Sequence, residues 1–514
     1  MSKTIIIIGA GLAGLSAALQ AAENGCNVKL VSSLPSERAQ SVMAEGGINA
    51  ALNTKDENDS PEEHFTDTIK AACGLADPKA VWGMTQAAPE LVHWLLKLGV
   101  KFNMSGYDDV DLRNFGGQKK KRTAFAQSDT GKQIMTAMID AVRRKEASGM
   151  VERFSHHSFL TLRLCGNICC GCVIRDEYSQ ETVELPGDAV IVATGGMHGL
   201  FGNTTGSLSN TGEVTAELFR LGVPLANGEM IQYHPTTVKC GGKRMLISEA
   251  ARGEGGRLFA MKDGKQWYFM EEKYPELGNL MPRDITAREI WKVSHESEVF
   301  LDMTEISEEI ISNKLSGLAD DCMTYLHKDI RKEPVSVLPG IHYFMGGILV
   351  DEQHRTPIQN LCAAGECCAQ YHGANRLGGN SLLGALYGGR VAAKSACEQA
   401  DVVDLSCATQ IDFPPASQIS EIKQLNKVMQ ETMGVVRNEN TLLNGIQTVQ
   451  ALTGNLPLLG MAVLKSALAR KESRGAHWRE DYPKSNDDDY LKTTVARFDG
   501  KQIQISFVPV PERR

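Results

Sequence analysis

The chain has 514 residues, with 62 acidic and 54 basic side chains and a formal net charge of −8 at pH 7. Hydrophobic residues make up 42% of the chain and charged residues 23%, which is typical of globular proteins and excludes a fibrous or intrinsically disordered chain. The acidic balance argues against nucleic acid as the main partner, because phosphate binding needs a basic surface. No apolar run reaches the ~18 residues that a membrane-spanning helix needs.

The N-terminal segment predicts a strand, a glycine-rich turn and a helix, in that order. Residues 5–8 are four isoleucines, typical of a buried parallel strand, and the turn Gly9-Ala10-Gly11-Leu12-Ala13-Gly14 follows at once. The next residues predict a helix over 12–24 that ends at Gly25, and a second strand over 27–31. A secretory signal would have a small-residue cleavage site after its apolar segment, so we expect a mature, cytoplasmic N-terminus.

This order of elements is the pattern of a dinucleotide-binding fold. Gly9 makes the turn, Gly11 lets a pyrophosphate approach the backbone, and Gly14 lets the helix pack closely on the strand. The helix N-terminus then faces the phosphates. An acidic residue usually binds the ribose of NAD after the second strand, but Ser32 and Ser33 stand there. NAD is therefore disfavoured as the primary ligand, and the motif by itself does not choose FAD.

Two later segments predict further buried strands that end in small residues. Residues 188–193 are followed by Thr194-Gly195-Gly196, and residues 361–364 are followed by Gly365. Small residues at strand ends leave room for an extended cofactor. A helix is predicted to begin near Asn380-Ser381-Leu382, where its N-terminus could stabilise negative charge on a reduced flavin ring. The cofactor domain is therefore predicted to be split by an insertion.

The thirteen cysteines are odd in number and scattered, which fits reduced thiols better than a disulfide framework. One cluster stands out, formed by Cys165, Cys169, Cys170 and Cys172. A zinc or iron–sulfur site is one interpretation of it. The other is a β-hairpin over residues 160–174 that turns at Gly166-Asn167, and we favour structural cysteines in such a hairpin.

Eight further segments, in the same order along nearly the whole chain, resemble the flavoprotein subunit of the fumarate reductase and succinate dehydrogenase family, which also contains L-aspartate oxidase. The segments are A-E-G-G-I-N-A at 44–50, N-F-G-G-Q at 114–118, Q-Y-H-P-T at 232–236, S-E-A-A-R-G-E-G-G at 248–256, P-R-D at 282–284, I-H-Y-F-M-G-G at 341–347, H-G-A-N-R-L-G-G-N-S-L at 372–382 and R-K-E-S-R-G-A-H at 470–477. The ordered set is far more specific than any single motif.

The resemblance implies an α/β fold in three parts. A split Rossmann-like FAD-binding domain comes from residues 1–235 and 340–400, and an inserted α+β capping domain comes from residues 236–339. A helical C-terminal domain comes from residues 415–514. The sequence of the tail agrees, because Pro414-Pro415 break the chain and a helical pattern follows over residues 419–433.

The resemblance also implies the activity, FAD-dependent reduction of fumarate to succinate with a hydride from flavin N5 and a proton from an arginine. The residues that match His234, His342 and Arg376 hold the substrate carboxylates, and the hydroxyl at the position of Ser248 helps them. Such residues suit a dianionic C4 dicarboxylate, because arginine clamps a carboxylate with two parallel hydrogen bonds and histidine adds a donor.

The residue that matches Arg283 delivers the proton in this family. Glu249 and Arg252 match a relay that resupplies it. An arginine can act as an acid only if its proton is replaced as it leaves, because its pKa lies far above neutrality.

Cofactor contacts are implied for sixteen positions, grouped around the glycine-rich turn, the A-E-G-G segment and the strand ends. They are Gly9, Ala10, Gly11, Ala13, Gly14, Ser33, Ala44, Glu45, Gly46, Gly47, Thr194, Gly195, Glu213, Glu366, Ser381 and Leu382.

Three departures from the family pattern refine these expectations. Members with covalent FAD carry a histidine six positions before the first glycine of A-E-G-G, where this chain has Gln40. We therefore expect noncovalent FAD, whose lower potential favours fumarate reduction. L-aspartate oxidase usually has a glutamate at the position of Phe115, and Met345 also matches the succinate and fumarate enzymes. Lastly, the usual T-G-D-G is here Thr211-Gly212-Glu213-Val214.

Three alternatives to a fumarate reductase remain open. L-aspartate oxidase, which oxidises aspartate to iminoaspartate, is the close one, and Phe115 argues against it. A nucleic-acid-binding flavoprotein would have to use the short basic run Lys119-Lys120-Lys121-Arg122, and the net charge opposes it. A catalytically inactive scaffold is opposed by the complete set of site residues.

Electrons must reach the flavin from outside the chain, because the sequence has no convincing iron–sulfur ligand set and no haem C-x-x-C-H motif. The resemblance implies a separate iron–sulfur subunit, often with a membrane anchor. We therefore expect a protein that is cytoplasmic, or peripheral on the cytoplasmic face of the membrane through its partner subunits. A soluble electron donor is the alternative.

Overall fold

The computed structural model describes residues 2–399, 413 and 418–512. We predicted a break in the chain at Pro414-Pro415 and the start of the C-terminal domain at residue 415. Both positions lie outside these residues.

The strands are β1 (Thr4–Ile8), β2 (Asn27–Ser32), β3 (Ile48–Asn49), β4 (Leu112–Arg113), β5 (Thr123–Ala124), β6 (Val151–Ser155), β7 (His157–Cys165), β8 (Ile168–Asp176), β9 (Thr182–Pro186), β10 (Ala189–Val192), β11 (Leu225–Ala226), β12 (Ile231–Cys240), β13 (Lys243–Leu246), β14 (Arg257–Lys262), β15 (Lys265–Trp267), β16 (Val299–Asp302), β17 (Val335–Ser336), β18 (Leu338–Phe344), β19 (Gly347–Leu349), β20 (Leu361–Ala363), β21 (Cys368–Ala369), β22 (Lys492–Phe498) and β23 (Ile503–Pro509).

The α-helices follow the same chain order. They are α1 (Leu12–Glu23), α2 (Pro61–Ala71), α3 (Pro78–Leu98), α4 (Thr130–Ala147), α5 (Glu213–Arg220), α6 (Glu249–Gly253), α7 (Phe269–Lys273), α8 (Arg283–Val293), α9 (Glu308–Lys314), α10 (Ser316–Asp321), α11 (Asn380–Gln399), α12 (Ile419–Thr432), α13 (Glu439–Val449), α14 (Asn455–Ala469) and α15 (Asp487–Tyr490).

The centre of the fold is a five-stranded parallel sheet in the order β20-β10-β1-β2-β6. The four strands that the sequence predicted for the cofactor domain lie in it, which confirms the α/β fold class. Alternate side chains of β1 enter two different cores: Ile5 and Ile7 pack with α1, α3, α4 and α11, whereas Ile6 and Ile8 pack with β7–β9. Burial on both faces explains why β1 reads as an unbroken apolar run.

The insertion is a mixed α+β region that begins in β12 and ends in β18, two strands of a separate three-stranded sheet in the order β13-β12-β18. These two strands pair antiparallel, and β14–β17 form a second sheet beside α6–α10 with a core of its own. Both predicted limits of the capping domain fall within β12 and β18. The domain limits themselves stay predictions.

The C-terminal region is helical from α12 to α14, as predicted, and these helices share one apolar core. The last two strands, β22 and β23, were not predicted. They form an antiparallel hairpin, whose strand β22 pairs with β11 and whose strand β23 is the edge of the sheet β21-β19-β11-β22-β23. Half-buried and exposed residues alternate over the first five residues of β23, the period of a strand with one covered face.

A buried arginine fastens this hairpin to the helical region. All five N–H groups of Arg470 donate hydrogen bonds: Nε to Glu229 Oε1 (2.7 Å), Nη1 to Glu472 Oε1 and the carbonyl of Tyr490 (both 2.8 Å), and Nη2 to the carbonyl of Lys492 (2.7 Å) and Thr494 Oγ1 (2.8 Å). The side chains of Arg470, Glu229 and Glu472 are fully buried. Such a cation is held by complete hydrogen bonding and not by solvent.

The cysteine cluster lies in the β7–β8 hairpin that the sequence predicted. Cys169, Cys170 and Cys172 are buried free thiols on β8. Cys165 is disulfide-bonded, so the expectation of reduced thiols does not hold for it.

None of the helices formed by residues 2–399 and 418–512 combines the length and the apolar character needed to cross a membrane.

Candidate active site

One cavity of about 570 Å³ begins at the carboxyl ends of the central strands and extends to the first residues of the insertion. Parallel sheets bind ligands at this edge. Of the sixteen positions implied for the cofactor, fifteen line the cavity: Gly9, Ala10, Gly11, Ala13, Ser33, Ala44, Glu45, Gly46, Gly47, Thr194, Gly195, Glu213, Glu366, Ser381 and Leu382. Seven of the eight implied for catalysis and substrate line the same cavity: Phe115, His234, Ser248, Glu249, Arg283, His342 and Arg376.

The two exceptions lie directly behind the cavity wall. A Cβ on Gly14 would come 1.9 Å from the carbonyl oxygen of Gly9, so this glycine lets α1 pack on the turn and does not face the cavity. Arg252 lies behind Glu249, with its Nη2 atom 3.4 Å from Glu249 Oε1.

The glycine-rich turn has room for a phosphate. Gly9 has a φ of 109°, and a Cβ there would come 2.3 Å from the carbonyl oxygen of Ala193, so the turn itself needs glycine. A Cβ on Gly11 would meet no protein atom closer than 3.7 Å, so packing does not demand glycine there. Gly11 lines the cavity and, as the N-cap residue of α1, carries no capping side chain. The N–H of Leu12 donates to Ser41 Oγ at 3.3 Å, but the positive end of the α1 dipole still faces the cavity, which suits an anion.

A second helix N-terminus faces the same cavity farther along. Ser381 and Leu382, in the first turn of α11, line it together with Ala44 and Gly46. The cavity therefore offers one helix terminus for a pyrophosphate and another for a distant polar ring. This arrangement fits FAD, which we predicted from the resemblance.

Glu45 is a buried carboxyl group in this part of the cavity. Burial and the nearby carboxylate of Asp321 raise the pKa of Glu45 to about 8, against the opposing charge of Arg113 and a hydrogen bond with Ser248. At neutral pH the group is therefore mostly protonated and uncharged. It consequently adds little negative charge beside the cationic residues next to it.

Two histidines stand together at the far end of the cavity. The ring centroids of His234 and His342 are 5.2 Å apart. Nδ1 of His342 is 2.8 Å from Thr205 Oγ1, whereas the buried Nε2 of His234 has no hydrogen-bond partner. Burial and the positive charge of Arg283 lower the pKa of both histidines well below the ordinary value, so they are neutral hydrogen-bonding groups.

Arg376 completes this group as an arginine without an acidic partner. Its guanidinium lies 4.4 Å from the ring centroid of Tyr343, and its Nε atom has no hydrogen-bond partner. No carboxylate of the described residues lies within 4.0 Å of it. Burial and the charge of Arg283 lower the pKa of Arg376 to about 9, so it is still cationic at neutral pH.

Arg283 is instead tied to a carboxylate. Its Nε and Nη2 atoms donate to Glu249 Oε2 at 2.8 and 2.6 Å, and Nη1 donates to Gln232 Oε1 at 3.0 Å. The other oxygen of Glu249 faces Arg252 and accepts the backbone N–H of Gly116 at 3.1 Å. Burial alone would raise the pKa of Glu249, but the charges of Arg283 and Arg252 outweigh it and hold the pKa below its ordinary value.

Two residues without a predicted role, Gln232 and Thr205, orient Arg283 and His342. Gln232 donates to Asn375 Oδ1 at 2.9 Å and to the carbonyl of Arg376 at 2.8 Å, so its amide oxygen is turned towards Arg283. Its place beside His234 in Q-Y-H-P-T was a usable signal. Thr205, which contacts His342, lies in a loop far from His342 in sequence, and no sequence pattern pointed to it.

Two sequence profiles and several known proteins match the chain. The sequence profile described as "FAD binding domain" matches residues 4–382, and the profile described as "Fumarate reductase flavoprotein C-term" matches residues 452–513. The chain is 38% identical to the succinate dehydrogenase flavoprotein subunit of Bacillus subtilis, an alignment that covers 100% of this chain and 98% of that protein. It is 32% identical to the 8-methylmenaquinol:fumarate reductase flavoprotein subunit of Wolinella succinogenes, with coverage of 100% and 92%.

A solved structure agrees over the whole fold. A variant of E. coli quinol fumarate reductase superimposes with a TM-score of 0.90 at 27% identity, covering 99% of this chain and 97% of that one.

Proposed function

The chain belongs to the fumarate reductase and succinate dehydrogenase family of flavoprotein subunits, FAD-dependent oxidoreductases that act on the CH–CH bond of a C4 dicarboxylate, and on this premise we propose that it reduces fumarate to succinate. The observation that carries the proposal is the set of uncommitted hydrogen-bond donors at one end of the cavity. Arg376 has no acidic partner, and the buried Nε2 atom of His234 has no hydrogen-bond partner. Two carboxylates of a small alkene would satisfy both.

These donors hold and polarise the substrate. The guanidinium of Arg376 can clamp one carboxylate with two parallel hydrogen bonds, while His234, His342 and the hydroxyl of Ser248 bind the remaining carboxylate oxygens. A carboxylate held out of the plane of the alkene loses conjugation with it. The double bond is then polarised, which makes one carbon electrophilic and the other basic.

FAD, when bound, supplies hydride transfer to the electrophilic carbon. Arg283 adds the proton to the other carbon. The two oxygens of Glu249 contact different arginines, Arg283 through Oε2 and Arg252 through Oε1. Glu249 can therefore return a proton to Arg283 as it receives one from the side of Arg252, so Arg283 never has to stay deprotonated.

We expect fumarate to reoxidise the flavin of the protein when it has been reduced with dithionite in the absence of air. The measurement is the return of the yellow flavin absorbance after mixing. L-aspartate serves as the matched control, because the oxidase alternative predicts that it bleaches the oxidised flavin. Flavin that stays bleached with fumarate, or that aspartate bleaches, would contradict the proposal. Phe115 is buried in the cavity wall where L-aspartate oxidase would place an acid, so it favours reoxidation by fumarate over bleaching by aspartate.

FAD is proposed to be noncovalent, because the Gln40 amide cannot form the histidyl bond of the covalent members. After denaturation with acid, all flavin is expected in the supernatant and none on the polypeptide. Flavin fluorescence that comigrates with the polypeptide on a denaturing gel would contradict this expectation.

The chain is proposed to act as one subunit of a complex that includes an iron–sulfur subunit. It is proposed to be cytoplasmic, or peripheral on the cytoplasmic face of the membrane through its partner subunits. The support is that the relatives named above are themselves subunits, of a succinate dehydrogenase and of a menaquinol:fumarate reductase. Copurification with an iron–sulfur protein tests this partner.

A further inference from the structure

Arg244 is a cationic side chain of the cavity that neither the sequence analysis nor the proposed chemistry uses. It lies on β13 and lines the same cavity as Arg283 and His342. Its Nε atom donates to Thr237 Oγ1 at 2.5 Å, and its Nη2 atom donates to the carbonyl oxygens of Leu338 and Thr237 at 3.3 and 3.4 Å. All these partners are neutral, and no carboxylate of the described residues lies within 4.0 Å of the guanidinium.

The neighbouring strand leaves room for this guanidinium. A Cβ at Gly340 on β18 would come 2.6 Å from Arg244 Nε, so a larger residue there would displace the side chain. Burial lowers the pKa of Arg244 from its ordinary value, which is so far above neutrality that the group remains charged.

Arg244 lies on the outer side of the substrate end. Leu338, whose carbonyl it contacts, is 43% exposed, whereas Ile341, three residues farther along β18, is 3% exposed. The tip of the β12–β13 hairpin, Gly241-Gly242, is exposed as well. The guanidinium is therefore anchored where Thr237 pairs with Leu338, at the more exposed end of the β12–β18 pairing, and it lines the same cavity as the histidine pair.

The inner residues carry charges of both signs. Glu249 contacts both Arg252 and Arg283, and the negative charges of Glu366 and Glu249 act on Arg376. Arg244 has only neutral hydrogen-bond partners, so no paired carboxylate offsets its positive charge.

We propose that Arg244 is a recruiting residue, which attracts the dicarboxylate to the cavity mouth and sets the affinity for dianions without taking part in the chemical step. This inference rests on the proposed function. A positive charge without a paired carboxylate in a cleft raises the association rate of an anionic substrate, and added salt weakens the effect.

The test compares three variants of the FAD-loaded protein: Arg244→Gln, Arg244→Lys, and Arg331→Gln as a control. Arg331→Gln removes the same charge from an exposed position of the same insertion, where the side chain is 46% accessible and pairs with Asp329. Two readouts are needed, the kcat and KM of fumarate reduction and the dissociation constant of fumarate from the oxidised flavin, followed by the perturbation of the flavin spectrum. The second readout involves no turnover.

At low salt, Arg244→Gln is expected to raise KM and the dissociation constant about 10-fold, with kcat within about twofold of the parent. Raising the salt concentration should shrink this difference, and Arg244→Lys should recover most of the affinity. A dissociation constant equal to that of Arg331→Gln at low salt would overturn the proposal, as would a loss confined to kcat. If fumarate did not reoxidise the reduced flavin of the parent protein, the proposed function would be refuted instead. The dissociation constants of fumarate would still test the role of Arg244.

Discussion

Arg283→Gln is expected to lower fumarate turnover about 10²- to 10⁴-fold, the usual contribution of a positioned general acid, while FAD remains bound. The glutamine amide can still accept or donate one hydrogen bond, but it has no acidic proton to give to the substrate carbon. The substitution also removes both hydrogen bonds from Arg283 to Glu249 Oε2, so the link between that carboxylate and the substrate is lost. The measurement is steady-state kcat, with flavin content determined in parallel.

Lys292→Gln is the matched control for this prediction. It removes a positive charge from the same helix, α8, at a side chain that is 47% exposed and outside the cavity. We expect it to leave kcat unchanged. If Arg283→Gln retained parental turnover with full flavin occupancy, the proton would have to come from another group.

Arg470→Leu is expected to lower the free energy of unfolding by about 3–5 kcal/mol, the usual cost of removing one member of a buried ion pair. Leucine fills part of the space but leaves Glu229 and Glu472 buried with an arginine partner lost, and it leaves the carbonyls of Tyr490 and Lys492 without a donor. The terminal hairpin should therefore loosen from the helical region. The urea midpoint of the FAD-loaded protein measures the loss.

Arg497→Leu provides the comparison on the hairpin itself. Arg497 is an exposed residue of β22, so its replacement is expected to change stability by no more than about 0.5 kcal/mol. Equal urea midpoints for the two variants would show that the buried network does not fasten the hairpin.

The sequence predicted best where one physical constraint acts on consecutive residues. The strand before Gly9, the turn, and α1 ending before Gly25 follow from burial on two faces and from positive φ at both glycines. The split sheet was also predictable, since 188–193 and 361–364 end in small residues. The hairpin β22–β23 was missed because β22 buries only three consecutive residues and β23 has no fully buried residue, which weakens the apolar signal of both strands.

The candidate site was predictable only in part, because its residues meet through long-range packing. The resemblance supplied Arg283, His342 and Arg376, and the structure brings them into one cavity. It could not supply Thr205 or Arg244, since a threonine in a loop and an arginine in a hairpin have no local pattern. Their significance depends on which strands the fold places beside them.

The discontinuous central sheet also has a consequence for biosynthesis. Strand β10 gains its neighbour β20, and α1 gains its cover α11, only after the ribosome has translated the whole insertion. A nascent chain that stops before residue 361 therefore exposes an unpaired strand edge and lacks the second helix N-terminus that lines the cavity. We expect the cofactor cavity to be complete only in a nearly full-length polypeptide, and the chain to be most prone to aggregation while the insertion is emerging.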